Sequence, residues 1–231
     1  EMCIRDRLVS DWHREMAEYI KSLDVNKHLV TTSFANAGNG DEVWKLDCID
    51  VTTFHRYTMY NDGTEGMFNG VKALYLLVNS RLGTYGKPVI AGEFALSPAG
   101  DIQRENDKAG IGFHNQIWAS VFAGSFGTAM HWNWDSYLDR NDLYYHYKPL
   151  SDFLRYEDLR GAKTENNIMT EEEALYMSMT AGGKGYIWVK DRNYDYYQVL
   201  NGYQPKTVSG ASVTLKMADG AYKAEFFDTY T

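Results

Sequence analysis

Cysteine is scarce in this 231-residue chain. Cys3 and Cys48 are too few for a disulfide framework and form no metal-ligand spacing. The six histidines (13, 28, 55, 114, 131 and 146) are scattered, with no His-x-x-x-His pair. P-loop, Gly-x-Ser-x-Gly and Gly-x-Gly-x-x-Gly patterns are all missing, so the usual signatures of nucleotide binding and of a serine nucleophile elbow are missing too. No run of 18 apolar residues offers a membrane span, and no secretory signal pattern is legible. No stretch is rich in Lys or Arg, and the net charge of −8 argues against a nucleic-acid partner. No cofactor or metal is expected.

What is present is aromatic and apolar. Hydrophobic residues make up 44% and charged residues 23%, an ordinary globular composition, and the length allows one large domain or two smaller ones. The aromatic share of 15%, with 18 Tyr and 6 Trp, is high. Aromatic faces either stack on flat apolar ligand faces such as sugar rings or fill cores, and composition does not choose between the two. The most telling segment is Lys87-Pro-Val-Ile-Ala-Gly-Glu-Phe-Ala95. An apolar run of this kind suits a parallel strand covered on both faces, and a carboxylate at its end is costly unless hydrogen-bonded or used. Ends of parallel strands are where active sites lie in α/β folds. Glu93 is therefore the first candidate for chemistry.

Alternation of elements supports that placement. Residues 8–23 carry apolar positions at helical spacing, 28–35 read as a strand, and 36–41 as an Asn- and Gly-rich loop. A second strand over 49–54 runs into His55-Arg-Tyr57. Next come a turn at 61–63, a helix over 66–82, the Glu93 strand, a long helix over 104–123, a fourth strand over 128–134 and a short helix over 150–156. Strands 25–40 residues apart with helices between them predict βα units on a parallel sheet or barrel. Beyond about residue 160 the texture changes to strict alternation. Two hairpins are expected, 175–180 with 186–189 across Gly182-Gly-Lys-Gly185, and 211–217 with 222–226 across Ala218-Asp-Gly220. They predict a small antiparallel sandwich over 161–231, joined by a polar linker at 161–167.

Three successive strand ends carry His55-x-Tyr57, then Glu93, then Trp132-Asn-Trp134. This ordered trio resembles the C-terminal half of a (β/α)8-barrel retaining glycoside hydrolase of the cellulase- and mannanase-like family 5, about strands 5–8, spanning 8–160. The trailing region resembles the β-sandwich appended to some bacterial members, with Asp219-Gly-x-Tyr222 and Asp228-Thr-Tyr230 as its markers. The resemblance implies Glu93 as nucleophile, His55 and Tyr57 as the pair that contacts the sugar and orients it, Trp132 as the floor of the central subsite and Trp134 as a second platform. It also implies a β-linked polysaccharide or oligosaccharide as substrate and a secreted or periplasmic location. Ser33, ending the first strand, is a further residue placed to line the cleft, or to serve structure alone.

Retaining enzymes need two carboxylates roughly 5–5.5 Å apart. In this family the acid/base Glu follows the fourth barrel strand, usually as Asn-Glu, and the chain contains no such dipeptide. Residues 1–7 join poorly to the helical pattern after them and read as an artefactual leader. The chain therefore reads as an internal fragment, inactive alone, with exposed sheet edges that favour aggregation. The competing reading is a non-catalytic carbohydrate-binding or scaffold protein with a degenerate barrel. Taken singly, each site residue has a plain alternative. Glu93 could pair with Arg56 or a tyrosine, His55 could be a hydrogen-bonded core histidine, and Trp132 and Trp134 could be core. Tyr194, Tyr196 and Tyr197 could form a binding patch or pack a loop against the barrel.

Overall fold

The computed structural model describes residues 2–35, 38–58, 70–97, 100–165, 169–171 and 174–231. The turn expected at 61–63, residues 66–69 of the expected helix and the end of the linker lie outside them. Strands β1 (Thr31–Thr32), β2 (Val51–Tyr57) and β3 (Val89–Ala95) form a parallel sheet in that order. Burial on both faces explains the unbroken run in β2, where Val51, Thr52, Thr53 and Phe54 are all buried. The chain after residue 125 runs along the far edge of β3. Phe126 and Met130 donate their N–H groups to the carbonyls of Val89 and Ala91, and Trp132 donates to Phe94. The strand expected at 128–134 is thus a short parallel addition bridged at Phe94–His131. From Trp134 the backbone instead winds into a π-helical turn ending at Leu138.

Helices α1 (Met2–Leu23), α2 (Asp41–Trp44), α3 (Gly70–Tyr85), α4 (Gly100–Asn106), α5 (Ile111–Phe122) and α6 (Tyr147–Leu154) connect or flank these strands. The buried guanidinium of Arg81 on α3 lies 5.0 Å from both the Trp44 and Phe54 rings, tying α3 to α2 and β2. The single helix expected over 104–123 is two. Asp107 accepts the N–H groups of Ile111 (2.7 Å) and Gly112 (2.8 Å), starting α5 afresh, and Gly110 takes the left-handed φ of 70° that the break requires. Apolar spacing continues across this break, so periodicity alone joins the two pieces. Burial pushes the Asp107 carboxyl up to about 6 although two backbone N–H groups and the Tyr137 hydroxyl bond to it.

Every residue of α5 is buried. The helix packs against α3, against α6 and against β6 (Ala174–Ala181) and β7 (Lys184–Asp191), which explains why it is apolar nearly all round. Strand β7 pairs along the whole length of β6, while β4 (Lys163–Thr164) and β5 (Met169–Glu171) pair with the two ends of β6. The first expected hairpin is therefore present, somewhat longer than the alternation marked. The second is not. Residues 211–226 form no ladder, although Ala211, Val213, Leu215 and Met217 are half-buried and alternate with exposed neighbours. Their buried face is satisfied by packing: a Cβ on Gly185 would meet Leu215 at 2.1 Å and Met217 at 2.8 Å. Among the described residues the expected sandwich is thus a single sheet. Its Leu175, Met177, Met179 and Trp188 belong to the same core as Phe54, Phe94 and Ile117.

Phe113 is the hub of that core. It is fully buried, and the rings of Phe94, His131, His146 and Tyr147 lie 5.1–6.2 Å from it. We expect Phe113→Ala to lower stability by about 3–5 kcal/mol, measured by urea unfolding, because the cavity would open among groups that four elements hold in place. A loss below about 1 kcal/mol would show that the site collapses freely.

The C-terminal segment straps across α5 and α6. Tyr230 stacks on His114 at 3.8 Å and 9°, and Phe227 packs on Trp118 and Phe153. The tautomers follow from the partners. His146 Nε2–H donates to the Ala109 carbonyl (3.0 Å), so its Nδ1 accepts from His114 Nδ1–H (3.2 Å). His114 Nε2 is then left to accept from the Thr229 hydroxyl (3.2 Å). Burial holds His114 down to about 3 and lowers His146 as well.

Candidate active site

His55 and Glu93 face each other across the β2–β3 ladder, at a register shift between Phe54 and His55. Such a bulge re-aims side chains locally. His55 Nδ1 donates to Glu93 Oε2 at 3.0 Å, and the Tyr57 hydroxyl donates to the same oxygen at 2.5 Å. Tyr57, two residues beyond His55, lies on the same face of β2. Oε1 of Glu93 has no hydrogen-bond partner among the described residues. One oxygen is thus held by two donors while the other has none among the described residues, and the carboxylate is 23% exposed. Burial, then the bond to Glu93, raises the Tyr57 phenol far above its usual range, so it stays a donor.

Gly92 matters to this pair. A Cβ there would come within 2.7 Å of the Thr53 methyl on β2, so the residue before Glu93 must be small for the two strands to pair in this register.

The remaining sequence candidates occupy the same end of the sheet. Ser33 follows β1, is exposed, and stands on the far side of β2 from Glu93. Trp132 ends the fourth parallel segment and is 45% exposed; Trp134 is 53% exposed at the start of the π-helical turn. Both indoles are therefore surface groups, contrary to the plain reading of core tryptophans. Tyr196 is buried against Leu96 and Ile111, and Tyr194 packs beside it, so these two pack a loop inward. Cys48 is buried and free.

A supporting network escaped the sequence reading. Gln103 Oε1 accepts the N–H of Leu96, just beyond β3, and Nε2–H of His131, both at 3.1 Å. His131 Nδ1 accepts the Asn133 N–H, also at 3.1 Å. One carboxamide thus ties the exit of the Glu93 strand to the segment carrying Trp132. Burial holds His131 down to about 3, so it is neutral in this role. Nothing in the spacing of Gln103 announces it; the signal is the contact between two strand ends.

Among the described residues no three His, Cys, Asp or Glu side chains converge as metal ligands, and no helix is long and apolar enough to cross a membrane. Comparison with protein-family models, curated proteins and solved structures finds no match.

Proposed function

We propose that this chain carries the nucleophile side of a retaining glycoside hydrolase acting on β-linked polysaccharide or oligosaccharide outside the cell or in the periplasm. The observation that carries the reading is the asymmetry of Glu93, with Oε2 held by His55 and Tyr57 and Oε1 left unheld among the described residues. Exposed Trp132 offers a ring for a sugar to stack on, and the parallel strands that follow one another in chain order suit part of a (β/α)8 barrel. Exposed Leu8, Trp12 and Ile20 on α1 and Phe126 and Met130 on the other flank suit a sheet that continues on both sides. The acid/base Glu is proposed to lie outside this chain, since no Asn-Glu follows a strand in it.

In the proposed step Oε1 attacks the anomeric carbon, the carbon–oxygen bond to the leaving group breaks, and the electron pair departs with that oxygen. Without an acid to protonate it, only a leaving group that is stable as an anion can depart. A 2,4-dinitrophenyl 2-deoxy-2-fluoro-β-glycoside meets that need. We expect it to release dinitrophenolate and leave one glycosyl group on Glu93, read by intact mass and peptide mapping. Saccharide binding without any adduct would support the degenerate, non-catalytic barrel instead.

A further inference from the structure

A cleft lies where the starts of α3 and α5 meet the turn between β7 and α7 (Tyr196–Leu200). Leu96, Gln116, Lys190, Arg192, Asp195 and Tyr196 line it, and Glu93, His55 and Tyr57 do not. Open mouth included, it amounts to about 410 Å³.

The polar groups here are unmatched in a specific way. Lys190, half-buried, donates to the carbonyls of Asp191 (2.7 Å) and Arg192 (3.3 Å). Asp195 accepts the Gln198 N–H on Oδ1 as the cap of α7. Lys190 and Asp195 attract one another but form no ion pair. Both are desolvated, burial lowering Lys190 to about 8 and raising Asp195. Gln116 is 2% exposed, and its Nε2 has no hydrogen-bond partner among the described residues. That carboxamide sits over Gly70, where a Cβ would come within 2.2 Å of Nε2.

A buried donor with no acceptor is expensive, and Gln116 Nε2 is one, in a cleft that an ammonium and a carboxylate also line. An anion in the recess would be repelled by Asp195, and a cation by Lys190 and Arg192. A hydroxyl meets both demands, because it accepts from Lys190 and Gln116 while donating to Asp195. Tyr196 and Leu96 supply apolar surface for a C–H face. We propose that this cleft is a saccharide-binding site, separate from Glu93, that draws one sugar hydroxyl into the recess among Lys190, Asp195 and Gln116.

The test is a titration of cellobiose into the ¹⁵N-labelled full chain, following the side-chain NH2 pair of Gln116 by NMR. We expect a saturable shift of that pair, with affinity reduced about tenfold or more in Asp195→Asn, a loss of about 1.4 kcal/mol or more. Asn still caps α7, so this variant removes the charge and leaves the helix start. Lys190→Met should weaken binding likewise and stands in if Asp195→Asn loses its native spectrum. Sodium acetate should leave the pair unmoved. The shift should persist in Glu93→Gln, so the cleft and the proposed nucleophile fail or survive separately. The proposal is overturned by the absence of a saturable shift, by an equal response to acetate, by unchanged affinity in both variants, or by a trapped water that cellobiose does not displace.

Discussion

Glu93→Gln should abolish transfer of the fluoroglycosyl group, while Tyr57→Phe should still form the adduct and hold it longer. The contrast follows from where charge moves. In the proposed reaction Glu93 would lose its negative charge as Oε1 attacks and regain it when the adduct is hydrolysed. The Tyr57 hydroxyl, 2.5 Å from Oε2, stabilises the carboxylate rather than the ester. Its removal therefore costs little on the way in and more on the way out. A hydrogen bond to a charged group is worth about 1.5–3 kcal/mol, so we expect the adduct's half-life to lengthen about tenfold or more. Adduct formation should change by only a few fold, because His55 Nδ1 still holds Oε2. Stopped-flow release of dinitrophenolate gives the first rate, and the decay of the adduct mass gives the second. Equal effects of Tyr57→Phe on both rates would show that the tyrosine only shapes the fold, and labelling of the Glu93→Gln protein would place the nucleophile elsewhere.

Acidification should destabilise the protein well before most carboxylates are neutralised. His114 and His131 are held down to about 3 by burial, and His146 is lowered in the same direction, against an ordinary value of 6.5. Below pH 6.5 the unfolded chain takes up protons that the folded chain refuses, so this stability is present above 6.5 and is lost progressively towards pH 3. Asp107 works the other way. Raised to about 6 from 3.8, it binds a proton in the folded state first and offsets one histidine between those values. His114 and His131 less Asp107 leave about one proton, or roughly 1.4 kcal/mol per pH unit near pH 5, and His146 adds to it in the same direction, against a typical total of 5–15 kcal/mol. Urea denaturation from pH 7 to pH 4 should show that slope. His114→Gln should be less stable at pH 7 and flatter with pH, because it removes one refused proton along with the Thr229 and His146 contacts. A stability that does not change between pH 7 and pH 5 would mean that these imidazoles are solvated.

The sequence was most legible where one periodicity ran unbroken. β2 and β3, with Glu93 at a strand end and His55 and Tyr57 opposite, were readable because buried parallel strands leave continuous apolar runs and charged groups interrupt them visibly. The division into α4 and α5 was not readable, since Asp107 ends one helix and starts the next without disturbing the apolar spacing. Residues 211–217 carried a true alternation that misled. Their side chains are half-buried every second position, yet the burial comes from packing over Gly185 and not from a partner strand. Period-2 patterning reports a face, and the ladder has to be found separately. Gln103, His131, Lys190 and Asp195 matter through neighbours far along the chain, which no local pattern records.

The strap over α5 has a consequence for how the chain is made. His114 and Thr229 are 115 positions apart, so their contact closes a very long loop. During synthesis, the surface of Trp118 and Phe153 that Phe227 covers stays bare until Phe227 has emerged. While residues 154–226 are being added this protein therefore presents a sticky aromatic stripe, which the arrival of a handful of residues covers.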